Sequence, residues 1–418
     1  MERYSSYKDS GVSWIGDIPE HWEVKQLRSF LTLFSEKGHG DAQLLSVTRE
    51  QGVIERDKED QEENHNFVPD DLSGYKYIEK GDFAINKMKA WQGSYAVSEY
   101  NGIVSPAYFT CKLKGVNKDF FSKAIRSKVY VPFFTQYSKG IRVGQWDLNP
   151  NALKSIPFFL PTPDEQSVIV KYIDDKTSNI DAYVADKEKE IELLQELKQK
   201  TIADAVTKGL NPDAKMKDSG ISWIGEIPEH WEVKKIESLF VERREKVSDK
   251  DYPALSVSKQ GITPQLDTAV KTDNGDNRKK VCKNDFVVNS RSDRKGSCGV
   301  SPYTGSVSLI NIVLSPRKNI EVQYFHHLFR SNNYIEEYYR IGRGIVADLW
   351  TTRYSEMRNI FVPLPPSDEQ QAIVAYIEEK CEKIDKLASE LQSEIDYLKE
   401  YKQRLIADCV TGQVNVQS

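Results

Sequence analysis

The chain has 418 residues, 39% hydrophobic and 11% aromatic, enough for two to four domains with cores of their own. No run approaches the roughly 18 continuous apolar residues of a membrane span, the stretch Met1–Ser5 lacks an apolar signal core, and the five cysteines are scattered without a CxxC pair. These features predict a cytoplasmic protein without a disulfide framework, zinc site or other metal site. The net charge of -5 taken alone counts against nucleic acid, but it is unevenly placed: residues 1–160 are neutral and 211–364 carry +4, while 161–210 carry −4 and 365–418 carry −5.

The first element in chain order is an opening segment from Lys8 to Lys25, KDSGVSWIGDIPEHWEVK, with Ile and Trp positions suited to anchoring and charges between them. It returns almost unaltered at Lys217–Lys234, where Val12 becomes Ile221 and Asp17 becomes Glu226. A body of short β-prone runs follows, including Phe83–Ile85 and Ala107–Thr110, with a helical stretch near Lys118–Val129. Residues 161–210 then read as one long helix. It starts at Pro163-Asp164-Glu165-Gln166, where Thr162 or Asp164 can cap, and runs without Gly or Pro to Gly209. Ile173, Ile180, Lys187 and Leu194 fall seven apart, with Val184 and Ile191 on a second track.

The second copy repeats this plan. Its β-prone runs include Phe286–Val288 and Val307–Ile310, and a helical stretch spans Val322–Arg340. Its closing helix starts at Ser367-Asp368-Glu369-Gln370, capped by Ser367 or Asp368, with Ile377, Ile384, Leu391, Leu398 and Leu405 seven apart and Ala388 and Ile395 beside them. A period near two hundred residues is a domain duplication, not a solenoid. Two helices of about 45 residues, each roughly 65 Å long, have narrow apolar stripes that predict a mutual coiled-coil seam. Antiparallel pairing would return the chain toward its start about a pseudo-two-fold axis. The expected fold class is therefore α+β: two similar α+β bodies separated by two long antiparallel coiled-coil helices.

Between the repeated ends the bodies diverge, which suits one scaffold carrying two different reading surfaces. Reading DNA needs Arg, Lys, Asn and Gln at base edges, with further basic side chains on phosphates. The candidates in the first body are Lys87, Lys89, Trp91, Gln92, Arg142 and Gln145; in the second they are Lys259, Arg291, Arg294, Lys295, Arg343 and Arg353. The run from Arg278 to Lys295, with seven basic residues, predicts a local basic face. Solvated surface side chains are the competing reading for each. Trp146 and Trp350 read as core residues before base stackers.

The DSGxSWIGxIPEHWEVK segment at Asp9–Lys25 and Asp218–Lys234, with the helix starts Pro163-Asp164-Glu165-Gln166 and Ser367-Asp368-Glu369-Gln370, resembles the specificity subunits of type I restriction–modification systems, over nearly the whole chain. The resemblance implies a first target recognition domain over 1–160, a central helix over 161–210, a second target recognition domain over 211–364 and a C-terminal helix over 365–418. Each domain would read one half of a bipartite, asymmetric double-stranded DNA target. The helices would set the spacer and dock two modification subunits, and Glu165, Gln166, Glu369 and Gln370 are the candidate docking residues. S-adenosylmethionine, ATP and magnesium would then belong to the modification and restriction subunits; no catalytic residue, metal or cofactor is expected on this chain. Walker, HExxH and GxSxG motifs are absent from the sequence. Two rival readings stand beside this one: a stand-alone magnesium nuclease built on Glu23-x-Lys25 and Glu232-x-Lys234, and a protein-only coiled-coil scaffold.

Overall fold

The computed structural model describes residues 2–57, 68–140, 146–265, 275–317, 320–343 and 350–416. The chain divides into two units, Met1–Lys187 with Ser393–Ser418, and Glu188–Gln392. The division runs through both long helices, because each end of each helix packs into the core of a different body.

Both bodies mix helix and strand, and their sheets have the same order. In the first unit Leu31–Phe34, Phe109–Leu113, Phe83–Ile85 and Tyr95–Val97 lie side by side, every pair antiparallel. In the second the order is Phe240–Glu242, Asn311–Pro316, Phe286–Asn289 and Cys298–Val300, again antiparallel. Beside each sheet lies a hairpin, Leu45–Thr48 with Gly52–Glu55 and Leu255–Ser258 with Gly261–Pro264. One sheet face packs on aromatic-rich helices: Phe83, Tyr95, Phe120, Phe121, Phe134 and Phe158 are buried in the first unit, Phe286, Tyr324, Phe325, Phe329 and Tyr334 in the second. Burying such large rings supplies most of the apolar area that holds a body together.

Two local expectations change. The stretch near Lys118–Val129 ends sooner, at Arg126, and a second helix begins at Val131; the stretch Val322–Arg340 is two helices meeting at Ser331. Ser127 and Ser331 explain both breaks: each is extended, and its hydroxyl donates to the carbonyl three residues back, Ala124 or Leu328, satisfying an acceptor the helix end would leave open. The apolar run Val307–Ile310 is likewise divided. Gly305–Val307 pairs with Arg278–Val281, whereas Asn311–Pro316 pairs with Phe286–Asn289, so the chain must turn between them. The turn leaves Leu309 and Ile310 exposed.

The helices expected over 161–210 and 365–418 are Pro163–Lys208 and Ser367–Val410. Thr162 caps the first through its hydroxyl, which accepts the Glu165 N–H at 3.4 Å; the matching position before the second is Pro366, which has no hydroxyl to offer. Their less exposed positions follow the heptad stripes, at 173, 177, 180, 184, 187, 191, 194 and 198 in one and 377, 381, 384, 388, 391, 395, 398, 402 and 405 in the other. Within the first unit Lys402 Nζ donates to both Asp181 oxygens at 2.6 Å and Tyr183 donates to Glu394 at 3.0 Å. Moving up one helix therefore means moving down the other, an antiparallel pairing. Within the second unit Lys198 donates to Asp385 at 2.7 Å, and Val206 near the end of one helix shares a core with Ile373 near the start of the other.

Candidate nucleic-acid interface

The repeated opening segments form the joints between bodies and helices. In the first unit Tyr7–Asp9 pairs with Asp17–Pro19, burying Ile18 and Trp22, and Glu23–Gln26 pairs with Pro157–Leu160 just before the central helix. Trp22 Nε1 donates to the Glu165 carboxylate at 3.1 Å; His21 Nε2 lies 2.9 Å and the Tyr4 hydroxyl 2.5 Å from the same group. Burial and the Glu165 carboxylate raise the Tyr4 phenol well above its ordinary pKa, so it stays a donor. The second unit repeats the joint. Trp231 Nε1 and His230 Nε2 lie 2.7 and 2.5 Å from Glu369, and Glu232–Lys235 pairs with Phe361–Leu364. The neighbouring glutamines tie each helix to its body: Gln166 accepts the Asn117 backbone N–H and Gln370 the Glu321 backbone N–H, both at 2.9 Å.

This placement changes the meaning of the two Asp-Glu-Gln helix starts. Glu165, Gln166 and Gln370 are buried and bonded inside their own units, and Glu369 is bonded to His230 and Trp231. The side chains of Glu165, Gln166 and Gln370 hold the joint together inside their own units, whereas Glu369, bonded in the same way, stays partly exposed. His21 and His230, each next to its Trp in sequence, bond the same carboxylates. The Glu-x-Lys pairs lie on an exposed strand face and neutralise each other, Glu23 with Lys25 at 2.5 Å and Glu232 with Lys234 at 2.9 Å. No group of three metal-ligating side chains occurs among the described residues, and the nuclease reading gains no support.

On the first body the loop after Phe83–Ile85 meets the segment entering the short helix Pro150–Ser155. The Lys87 carbonyl accepts the Leu148 N–H and its ammonium pairs with Asp147, both at 3.1 Å. Trp91 and Trp146 approach to 5.2 Å between ring centroids, and the Trp91 carbonyl accepts the Thr135 hydroxyl. Lys89 and Gln92 are exposed beside them. Thus Lys87, Lys89, Trp91, Gln92 and Trp146 come together, although 54 residues separate Gln92 from Trp146. Arg142 and Gln145 lie outside the described residues.

The corresponding place on the second body is a cleft of about 540 Å³, lined by Arg291, Arg353, Lys279, Trp350, Leu309 and Ile310 among others. Thr351 gathers its basic side: it bridges Arg291 and exchanges two backbone hydrogen bonds with Arg343, while the Thr352 N–H reaches the Ser290 carbonyl. Acidic groups sit within it. Asp293 is 3.2 Å from Arg291, and Glu242 is 3.6 Å from Lys279. Trp350 is half-buried, packing on the core while lining the cleft, so the core reading describes one side of it; Trp146 is half-buried too. The remaining candidates lie apart from this lining. Arg294 is exposed, Lys295 is paired with Glu336 at 2.6 Å, and Lys259 sits in a hairpin turn whose carbonyl is held by Arg330. The run from Arg278 to Lys295 is not one basic face: Arg278 is buried against Ser306 and Lys280 pairs with Glu245. Leu309, Ile310 and Tyr354 were not legible as site residues, because the β-prone reading of Val307–Ile310 hid the turn, while Lys279 lay within the run read as a basic face.

No protein-family model matches the chain. It is 25% identical to a protein of Methanocaldococcus jannaschii described as the specificity subunit of the type I restriction enzyme MjaX, covering 97% of this chain and 96% of that one. It is 23% identical to the EcoBI specificity subunit of Escherichia coli, over 72% of this chain and 66% of that one. A solved structure from work on complex assembly and conformational transition of the type I R-M system shares the fold, with TM-score 0.66 at 14% identity, covering 95% of this chain and 99% of that chain. In its twice-written motifs and over nearly its full length, the chain is similar to the type I restriction enzyme specificity subunits.

Proposed function

We propose that the chain is the non-catalytic DNA sequence-reading subunit of a type I restriction–modification complex, each body reading one half of a bipartite, asymmetric target. The observation that carries this reading is a scaffold repeated down to its joints, with its loops changed at one corresponding place. There the first body presents Lys87, Lys89, Trp91 and Gln92, and the second presents Arg291 and Arg353 in a cleft whose Thr351 pairs with the Arg343 backbone. Guanidinium groups next to carboxylates can read both acceptor and donor edges of base pairs in the major groove. The paired helices would set the spacing between half-sites, and modification subunits bringing S-adenosylmethionine would dock on the chain, joined by ATP- and magnesium-dependent restriction subunits. Such a complex works in the cytoplasm, where the DNA is; no helix among the described residues is long and apolar enough to cross a membrane.

The test is reconstitution with a type I modification subunit, followed by mapping of methylated adenines in genomic DNA. A two-part motif with a fixed gap is the expected result. Methylation or cleavage by this chain alone, or modification without sequence preference, would overturn the proposal. The protein-only scaffold fails if the complex retards target DNA in a salt-dependent, sequence-selective manner.

A further inference from the structure

The two joints are built alike but finished differently. In the first unit the Glu165 side chain is 0% exposed, because Tyr4 closes over it, its ring 5.5 Å from His21 and 6.3 Å from Trp22. In the second unit the matching Glu369 side chain is 41% exposed. The repeat keeps register through this region: the Ser6 carbonyl accepts the Glu20 N–H at 3.1 Å, as the Lys215 carbonyl accepts the Glu229 N–H at 2.8 Å. Two residues earlier, where the first copy has Tyr4, the second has Asp213. An exposed Asp cannot fill an apolar site beside a carboxylate. What remains is a cavity of about 270 Å³ between Leu210, Pro228, Ala372 and Ile373, with His230 and Glu369 on its polar side.

We propose that this cavity is a socket for a tyrosine side chain supplied by a partner subunit, which completes the second joint as Tyr4 completes the first. The proposal rests on the reading above that the chain works in a complex. The chemistry selects the occupant. Its walls are apolar, and a water takes up only about 30 Å³, so the space admits an aromatic ring. Glu369, already accepting from Trp231 and His230, can still accept a hydroxyl proton, as Glu165 accepts that of Tyr4. An anion such as a phosphate would meet a carboxylate and is disfavoured. A buried ring with a polar tip that finds its partner is the ordinary use of tyrosine at an interface.

The experiment titrates 4-fluorophenol into the full chain and follows the fluorine signal by NMR. Saturable binding of one equivalent is expected. Asp213→Tyr, which writes the missing plug into the chain, should weaken that binding at least tenfold, and so should Ala372→Phe, a change at an exposed position on the rim. Tyr4→Ala, checked for folding by circular dichroism, should raise the stoichiometry to two. In the assembled complex with the modification subunit, the probe should no longer bind. No saturable binding to the chain, or binding untouched by both Asp213→Tyr and Ala372→Phe, overturns the socket. Undiminished binding in the assembled complex overturns the partner tyrosine. Failure to assemble at all would count against the functional reading, while the titration on the isolated chain still decides the socket.

Discussion

Replacing Glu165 by alanine should loosen the first joint far more than Glu369→Ala loosens the second. Glu165 is fully buried and accepts from three donors, two of them the partly buried Tyr4 hydroxyl and the buried Trp22 indole. Removing the shared acceptor of a buried polar cluster leaves donors unpaired and costs about 3–5 kcal/mol. Glu369 serves two donors, is partly exposed, and can be replaced by water, so about 1–2 kcal/mol is expected. The assay is native-state hydrogen exchange read by mass spectrometry on peptides spanning 15–25 and 224–234. If exchange proceeds through local opening, Glu165→Ala accelerates it roughly 10²- to 10³-fold in the first peptide. Glu369→Ala accelerates it about tenfold in the second. Equal effects would refute the reasoning, since the difference rests wholly on the burial contrast. Effects confined to a different region would show that the carboxylates do not hold the Trp segments.

Three further outcomes follow from other positions. Gly412→Ala should melt at a lower temperature than Gly209→Ala: both glycines have φ near +70° (73° and 75°), a cost of about 1–2 kcal/mol for alanine. A Cβ at 412 would also lie 2.3 Å from Pro19, against 3.1 Å from Trp231 at 209. Arg291→Ala and Arg353→Ala should each cost about 1–3 kcal/mol of base discrimination in one half-site and none in the other, measured by methylation of a randomised target library. A uniform loss across both half-sites would place them on phosphates or in folding. Acid should destabilise the second unit: burial, then the Arg330 charge, lowers His326 to about 3 and His327 to about 4. Both are thus neutral when folded and protonate on unfolding below about pH 6.5. Their contribution is complete above that pH and is lost as pH falls from 6.5 toward 4, at about 1.4 kcal/mol per pH unit for each histidine. Urea midpoints for the second unit should become less steep with pH in His326→Asn, and an unchanged slope would refute this.

Much of the scaffold was legible because it is carried by periodicity and by repetition, both local properties of a string. The heptad tracks at Ile173 and Ile377 name the inward face of each helix, and the doubled IPEHW segment marks the joint whatever it packs on. The reading surface is different. Arg291, Arg343 and Arg353 meet only because Thr351 bridges two loops, and Lys87 meets Asp147 across sixty residues. Charge alone cannot separate these from Arg278, Lys280 or Lys295, whose partners come from other strands and helices. Glu165 and Gln166 mislead for a related reason. A carboxylate and an amide at a helix start read as exposed, but here three donors and a backbone N–H from elsewhere in the fold offset the cost of burial.

The glutamines also show how a scaffold can stay fixed while its bodies diverge. Gln166 and Gln370 each grip the body through a main-chain N–H and donate to the carbonyls of Pro161 and Pro365, in the segment just ahead of their own helix. A backbone donor exists at any residue except proline, so the attachment makes no demand on the side chain at 117 or 321. What it does demand is position. That N–H belongs to the residue that caps the helix Lys118–Arg126 or Val322–Arg330, Asn117 or Glu321 itself. Exchanging residues 27–157 for the body of a relative should therefore preserve the joint if the incoming body brings a capped helix to the same place. The expected result is a complex with one new half-site, the other half-site and the spacing unchanged, read by methylation mapping. Placing proline at 117 in the exchanged body should abolish the grip and lower its melting temperature, whereas Asn117→Asp, which keeps both N–H and cap, should not. A proline variant as stable as its parent would mean that the body is held by its core contacts alone and that the glutamine is dispensable.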